Sequence, residues 1–143
     1  MTGTNPMIML NNGVQMPALG LGVFQIPPAE TSDAVATALQ VGYRLIDTAA
    51  AYGNEKEVGD GIARSGLDRG DVFVTTKLWL DDYGYDAALR AFDTSLAKLG
   101  LDYLDLYLLH WPVPASFDAT VASYRAAEKL HIDKVIAFAG IAD

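Results

Sequence analysis

Short apolar runs alternate with helical patterns along most of the chain, and this alternation constrains the fold more than any other feature. Each run is bounded by polar residues or glycine, as is typical of buried parallel strands. The five predicted strands span residues 19–24, 44–47, 72–77, 106–110 and 135–139. Before them, Asn12-Gly13 separates two short apolar segments, and Asn-Gly at such a place predicts a β-hairpin.

Helical patterns with recognisable ends lie between the predicted strands. Gly42 and Gly100 are placed to end the first and third helices. Asn54, with Glu57 three residues later, predicts a capping box at the start of the second. A fourth helix is predicted after Asp118. Every predicted helix therefore connects two predicted strands.

Strict alternation with short connections predicts a parallel sheet that is either doubly wound or closed into a barrel. The predicted strand ends Asp47, Lys77 and His110 recur at the regular spacing that an eightfold barrel repeats. No Gly-x-Gly-x-x-Gly motif follows the first strand, which disfavours a Rossmann nucleotide site. A (β/α)8 TIM barrel needs about 250 residues. We therefore expect the hairpin, four βα units and a fifth strand to form about half of such a barrel.

Composition narrows the class of protein further. The chain has 143 residues, 51% of them hydrophobic, and a net charge of −8, which predicts one domain over residues 1–143. It has no cysteine and two histidines, so we expect no metal site and no thiol chemistry. The excess of acidic residues argues against nucleic acid or an anionic membrane as partner, because both are negatively charged. Residues 1–6 show no signal-peptide pattern, and the expected compartment is the cytoplasm.

Polar residues end three neighbouring predicted strands, at the edge where barrel enzymes place their active sites. Asp47 is the natural counter-ion for Lys77 there. Tyr52 follows the second strand by five residues, and an ammonium beside its hydroxyl would lower a pKa normally near 10, making it a better proton donor. A neutral His110 could orient a carbonyl oxygen. Together these groups predict reduction of a C=O bond by hydride from a bound cofactor.

Four segments of the chain carry a resemblance to a known family. They are Leu-Gly-Leu-Gly at 19–22, Asp-Thr-Ala-Ala-Ala-Tyr-Gly-Asn-Glu at 47–55, Thr-Thr-Lys-Leu-Trp at 75–79 and Leu-Leu-His-Trp-Pro at 108–112. In this order and spacing they resemble the aldo-keto reductases, especially bacterial members similar to diketogluconate reductases. The resemblance covers about residues 7–130 and implies an NADPH-dependent oxidoreductase.

The resemblance also implies roles for individual residues. Tyr52 would be the general acid, with Lys77 and Asp47 tuning it and His110 orienting the substrate carbonyl. The implied cofactor-binding residues are Gly22, Val23 and Asp47. The implied residues binding a small carbonyl substrate are Phe24, Tyr52, Trp79, His110 and Trp111.

The chain departs from the family pattern toward its end. Family members are roughly twice as long, and their later strands carry a Ser-Asn pair and a basic segment for the cofactor's 2′-phosphate. Residues 131–143 diverge, and Ala142 and Asp143 would stand in place of the pair. Two functions therefore stay open: a carbonyl reductase, and a truncated, inactive half-barrel that self-associates through unpaired strand edges.

Overall fold

The structure, a computed structural model, describes residues 5–142. Asp143 and residues 1–4, on which part of the predictions about the two chain ends rests, lie outside this range. The strands are β1 (Met7–Met9), β2 (Gln15–Pro17), β3 (Leu21–Gly22), β4 (Leu45–Asp47), β5 (Phe73–Leu78), β6 (Leu104–Leu109) and β7 (Ile136–Ile141). The helices are α1 (Pro28–Gln40), α2 (Glu55–Ser65), α3 (Tyr85–Leu99) and α4 (Phe117–Ile132).

The sheet has the strand order of a barrel. β3 to β7 are parallel and each is hydrogen-bonded to the next strand in sequence. A doubly wound sheet would reverse its strand order part-way across. Within residues 5–142, β3 and β7 pair on one side only, so this part of the barrel is an open five-stranded sheet.

The core lies between the sheet and its helices. The apolar faces of α1 to α4 cover one side of the strands. The largest fully buried side chains include Tyr107, Phe92, Leu39, Ile46, Leu78 and Leu104. Phe92 on α3 meets Tyr107 on β6 edge-on, with ring centroids 5.2 Å apart. No helix in the described part of the chain is long and apolar enough to cross a membrane.

The turn and helix-end predictions are confirmed. β1 and β2 form the antiparallel hairpin, with Gly13 at a φ of +86°. Gly100 ends α3 in the left-handed conformation, and Gly42, with a φ of +112°, follows the end of α1. These are positions where a side chain would strain the backbone.

Strand boundaries are where the sequence predictions were least accurate. β3 is only Leu21–Gly22, much shorter than the predicted 19–24, because the chain leaves the sheet in a turn. In that turn Ile26 N–H donates to Val23 O at 3.1 Å and Gln25 has a φ of +64°. β6 starts two residues earlier than predicted and ends at Leu109, and β7 runs two residues further than predicted.

The capping box predicted for α2 is wrong. Asn54 does occupy the N-cap position, but its side chain makes no capping hydrogen bond. Its amide Nδ2 donates instead to Val23 O at 3.1 Å and Ile26 O at 3.3 Å. Its Oδ1 accepts from Thr48 Oγ1 at 2.9 Å. Tertiary contacts in a buried site have replaced the local cap that the pattern predicted.

Candidate active site

The carboxyl ends of β4, β5 and β6 bring three polar side chains to one edge of the sheet. Asp47 is the last residue of β4, and Lys77 is the penultimate residue of β5. His110 follows β6 directly. Its backbone N–H continues the hydrogen bonding between β5 and β6 by donating to Leu78 O at 3.1 Å. Parallel strands end at the same edge, so strand order alone places the three residues side by side.

Lys77 is the centre of this cluster. Its side-chain ammonium, Nζ, donates to both carboxylate oxygens of Asp47, at 2.7 and 2.9 Å, and to Thr48 O at 3.0 Å. It also lies 3.4 Å from the Tyr52 hydroxyl. Tyr52 reaches it from a single 3₁₀ turn, Ala50–Tyr52, after β4. Since Lys77 is only 7% exposed, these partners rather than water compensate its buried positive charge.

His110 faces the same space as Tyr52. Its ring meets Tyr52 and Trp79 edge-on, with centroids 5.7 and 5.1 Å away. Burial and then the nearby Lys77 charge lower its pKa, while Asp47 opposes the change. The ring is therefore neutral at neutral pH. Its Nδ1 atom is buried without a hydrogen-bond partner among residues 5–142.

Aromatic side chains continue outward from this cluster to the rim. Phe24 packs on Tyr52 with centroids 5.1 Å apart, and Trp79 packs on Trp111 at 5.5 Å. Phe24 and Trp111 are exposed, whereas Trp79 is half-buried. Tyr83 holds the Trp111 segment by donating its hydroxyl to Trp111 O at 2.5 Å. The polar cluster thus opens to solvent between apolar walls.

The two glycines around β3 serve different purposes. A side chain at Gly20 would place its Cβ 2.3 Å from the Leu45 side chain, so close packing requires glycine there. At Gly22, which pairs with Asp47 in the parallel register, a Cβ would meet nothing within 4 Å. Val23 is fully buried, and its N–H donates to Asp47 O at 3.0 Å. Gly22 therefore leaves open space beside the Asp47 segment.

Three buried polar residues next to the cluster were not predicted as part of a site. Thr48 and Asn54 bond to each other, as described above, and Glu55 accepts a hydrogen bond from Thr76 Oγ1 at 2.6 Å. The sequence pattern assigned Asn54 and Glu55 to the start of a helix, where both do lie. The hydrophobic periodicity of a sequence does not show whether a polar residue at a helix start is buried or solvated, so it could not identify these two residues as part of a site. Among residues 5–142, no group of three or more histidine or acidic side chains is placed to bind a metal.

Comparison with known proteins decides the family. The aldo/keto reductase family model matches residues 17–136. The chain belongs to the aldo-keto reductase family. It is 62% identical over 130 residues to morphine 6-dehydrogenase of Pseudomonas putida, covering 91% of this chain and 44% of that protein. It is 46% identical over 143 residues to glyoxal reductase of Bacillus subtilis, covering 99% and 51%.

Solved aldo-keto reductases have the same fold. The crystal structure of an aldo/keto reductase from Brucella melitensis matches with a TM-score of 0.95 and 50% identity, over 99% of this chain and 53% of that one. A Bombyx mori aldo-keto reductase in complex with NADP matches with a TM-score of 0.87 and 36% identity, over 95% and 50%. The chain thus spans about half the length of these relatives. The predicted family and barrel class are confirmed, while the roles of single residues stay predictions.

Proposed function

We propose that Asp47, Tyr52, Lys77 and His110 form the acid–base site of an NADPH-dependent reductase of aldehydes or ketones. The observation that carries the proposal is the position of the Lys77 ammonium, bonded to both oxygens of Asp47 and 3.4 Å from the Tyr52 hydroxyl. The family match supports it, because the cluster lies on segments within the matched range.

Tyr52 donates the proton to the carbonyl oxygen in the proposed reaction. As the proton leaves, negative charge grows on the phenol oxygen, and the Lys77 ammonium stabilises that charge. Asp47 fixes the direction of the Lys77 ammonium by accepting its hydrogen bonds on both carboxylate oxygens. The three residues thus act as one proton-donating unit.

His110 orients the substrate in this proposal. Its pKa is lowered by burial and by Lys77, so the neutral ring has one N–H to donate to the carbonyl oxygen. Tyr52 and Trp79 hold the ring edge-on from two sides. A carbonyl oxygen placed between His110 and Tyr52 would face both donors.

The cofactor would lie beside Gly22, Val23 and Asp47, and when bound it would supply the hydride. The open space at Gly22 fits a group approaching the backbone closely. Solved relatives support the choice of cofactor, since the Bombyx mori structure contains NADP and the structure of a Gox0644 mutant contains NADPH. An NADPH-dependent reaction in a chain without cysteine suits the cytoplasm.

The proposed substrate is a small molecule with a carbonyl group and an apolar part. Phe24, Trp79 and Trp111 form apolar walls beside the polar cluster. Apolar walls around a few directed polar groups are typical of small-molecule sites. The names of the two curated relatives, a glyoxal reductase and a morphine dehydrogenase, indicate that carbonyl and alcohol substrates of very different size suit the family.

A chimeric barrel provides the test. Residues 1–136 of this chain are joined to the remaining part of morphine 6-dehydrogenase, and NADPH absorbance is followed with a reactive aldehyde. We expect aldehyde-dependent oxidation of NADPH. Tyr52→Phe should lower kcat by a factor of about 10² to 10⁴, the usual contribution of a general acid, while cofactor affinity hardly changes. A Tyr52→Phe chimera as active as its parent would refute the proposed role.

The same assay on the 143-residue chain alone addresses the alternative of an inactive, self-associating half-barrel. We expect no measurable turnover, because the hydride donor must be held about 3 to 3.5 Å from the carbonyl carbon. The basic segment expected to bind the 2′-phosphate is not among these residues. Robust turnover by the chain alone, abolished by Tyr52→Phe, would contradict this expectation.

A further inference from the structure

A buried carboxyl group lies behind β5, outside the acid–base cluster. Glu55, the first residue of α2, is only 2% exposed, and its Oε1 accepts from Thr76 Oγ1 at 2.6 Å. Thr76 is fully buried on β5. It precedes Lys77 on the strand, so its side chain points to the opposite face of the sheet. The Glu55–Thr76 hydrogen bond therefore joins a helix start to the back of the catalytic strand.

The bond connects the two segments whose separation matters most for the proposed chemistry. Glu55 follows Tyr52 by three residues, and Thr76 is adjacent to Lys77. The distance from the Tyr52 hydroxyl to Lys77 Nζ is 3.4 Å, whereas the other contacts of Nζ measure 2.7 to 3.0 Å. This is the longest contact in the cluster, and a small outward movement of the Tyr52 segment would break it.

The hydrogen bond to Thr76 does not by itself account for the burial of this carboxyl group. Glu55 Oε2 has no hydrogen-bond partner within the described residues, and neither has the nearby Tyr107 hydroxyl. Tyr107 lies opposite Thr76 in the β5–β6 register, and its pKa is raised first by burial and then by the Glu55 charge. A buried carboxyl satisfied at one oxygen costs more than its single hydrogen bond returns. A buried polar group with an unsatisfied atom requires an explanation, and a role in positioning a functional site is one.

Asn54 already fixes the other side of the same segment. Its side chain bonds to Val23 and Ile26 beyond β3 and to Thr48 after β4. The bonds to Val23 and Ile26 hold the segment toward β3, and the bond to Thr48 links it to β5 only indirectly, through the Thr48 N–H that donates to Thr75 O at 2.9 Å. The Glu55–Thr76 hydrogen bond holds the segment directly toward β5.

We propose that Glu55 is a positioning residue that, through its hydrogen bond to Thr76, sets the distance between the Tyr52 hydroxyl and the Lys77 ammonium. The proposal rests on the proposed function, in which that contact tunes the proton donor. Glu55 acts from behind the sheet and does not itself contact the substrate. The hydrogen bond to β5 needs an acceptor at this position, and the Glu55 side chain supplies it.

The test removes the hydrogen bond without changing shape. Thr76→Val replaces the hydroxyl by a methyl group, and Thr76→Ser restores a hydroxyl donor. Two properties of the 143-residue chain are measured by NMR: amide hydrogen exchange at Tyr52 and Gly53, and the ¹³Cζ resonance of Tyr52, assigned with Tyr52→Phe. In Thr76→Val we expect about tenfold faster exchange at both amides, equivalent to about 1.4 kcal/mol, and a shifted Tyr52 resonance. Thr76→Ser should restore both.

A second pair of variants changes the acceptor instead of the donor. Glu55→Gln keeps an oxygen that can accept from Thr76 and should leave the Tyr52 resonance unchanged. Glu55→Leu keeps similar volume without an acceptor and should reproduce Thr76→Val. If Thr76→Val fails to fold, the Glu55 pair decides the question, and equal Tyr52 resonances in Gln and Leu variants would overturn the proposal.

A control separates positioning from general loss of stability. Thr120→Val removes another buried hydroxyl, one that bonds to Val113 near the start of α4. It should raise exchange globally without a selective effect at Tyr52. Exchange in Thr76→Val that rises equally throughout the chain would also overturn the proposal. Neither readout involves turnover, so an inactive chimera would refute the proposed function while leaving this result interpretable.

Discussion

At the scale of single residues, the buried ammonium of Lys77 dominates the site. Lys77 and Glu55 are the two buried charged residues within residues 5–142. Lys77 is paired with Asp47, whose side chain is 33% exposed. Pairs of this kind contribute little net stability, but removing one partner leaves an uncompensated buried charge. Replacing one member of the Asp47–Lys77 pair should therefore destabilise the chain more than replacing both members.

Asp47→Ala tests this coupling. We expect the free energy of unfolding, measured by urea denaturation, to fall by about 3 kcal/mol. This value is at the low end of the range for a broken buried ion pair, because the Asp47 side chain is partly exposed to water. The double variant with Lys77→Met should recover part of the loss, since no buried charge remains. Strict additivity of the two single variants would show that the pair is not coupled.

The pKa of His110 predicts how stability depends on pH. Because burial and Lys77 lower its pKa in the folded state, the unfolded chain binds this proton at a higher pH than the folded chain. The histidine has no effect on stability above the unfolded pKa of about 6.5. As pH falls below that value, it increasingly favours unfolding until the lower folded pKa is reached.

The measurement compares the parent chain with His110→Gln in urea unfolding between about pH 8 and pH 5. The parent should lose more stability on acidification than the variant, with the difference appearing below about pH 6.5. Parallel pH profiles would mean that the environment of His110 does not disfavour its charged form.

At the scale of elements, one close backbone contact decides how α2 and α3 pack. A Cβ at Gly59 on α2 would lie 2.1 Å from Leu99 O at the end of α3. The obstacle is backbone, which cannot rotate away as a side chain can. Glycine at this position therefore lets the two helices approach more closely than any side chain would allow.

Gly59→Ala should destabilise the chain by about 2 kcal/mol, within the usual range for overpacking, despite the better helix propensity of alanine. Gly70→Ala is the matched control, since a Cβ there meets nothing within 4 Å. Thermal unfolding of both variants gives the comparison. If Gly59→Ala is as stable as Gly70→Ala, the helices can separate at little cost.

At the scale of the whole molecule, the described part of the sheet has two edges. β3 and β7 each have one hydrogen-bonded neighbour, so each leaves backbone groups on its other side available for another strand. Ile141 on β7 is 45% exposed at such an edge. An open edge with apolar side chains favours association between copies of the chain.

We expect the 143-residue chain to associate with increasing concentration, measured by sedimentation velocity. Ile141→Lys places a charge on the edge strand and should shift the distribution toward monomer. The control is Ile132→Lys, which changes an even more exposed isoleucine, 72% exposed, at the end of α4. Equal effects of the two lysines would point to general surface hydrophobicity rather than to the strand edge.

Much of the fold and the central cluster could be predicted from sequence because the relevant signals are local. Apolar runs of strand length, glycines after helices and Asn12-Gly13 act within a few residues. Parallel strands then place their ends at one edge, which predicts from sequence alone that Asp47, Lys77 and His110 lie together. The contact of Tyr52 with Lys77 follows from the short distance between Tyr52 and the end of β4.

The sequence by itself thus determined the alternating architecture, the family and the polar edge of the sheet. Only the tertiary structure decided that Asn54 bonds to the segment after β3, that Glu55 is buried against Thr76, and that β3 is two residues long. β3 is short because of the turn that follows it, whereas Asn54 and Glu55 share one physical reason. A polar residue at a helix start has local and distant partners available, and the choice between them depends on which elements pack nearby.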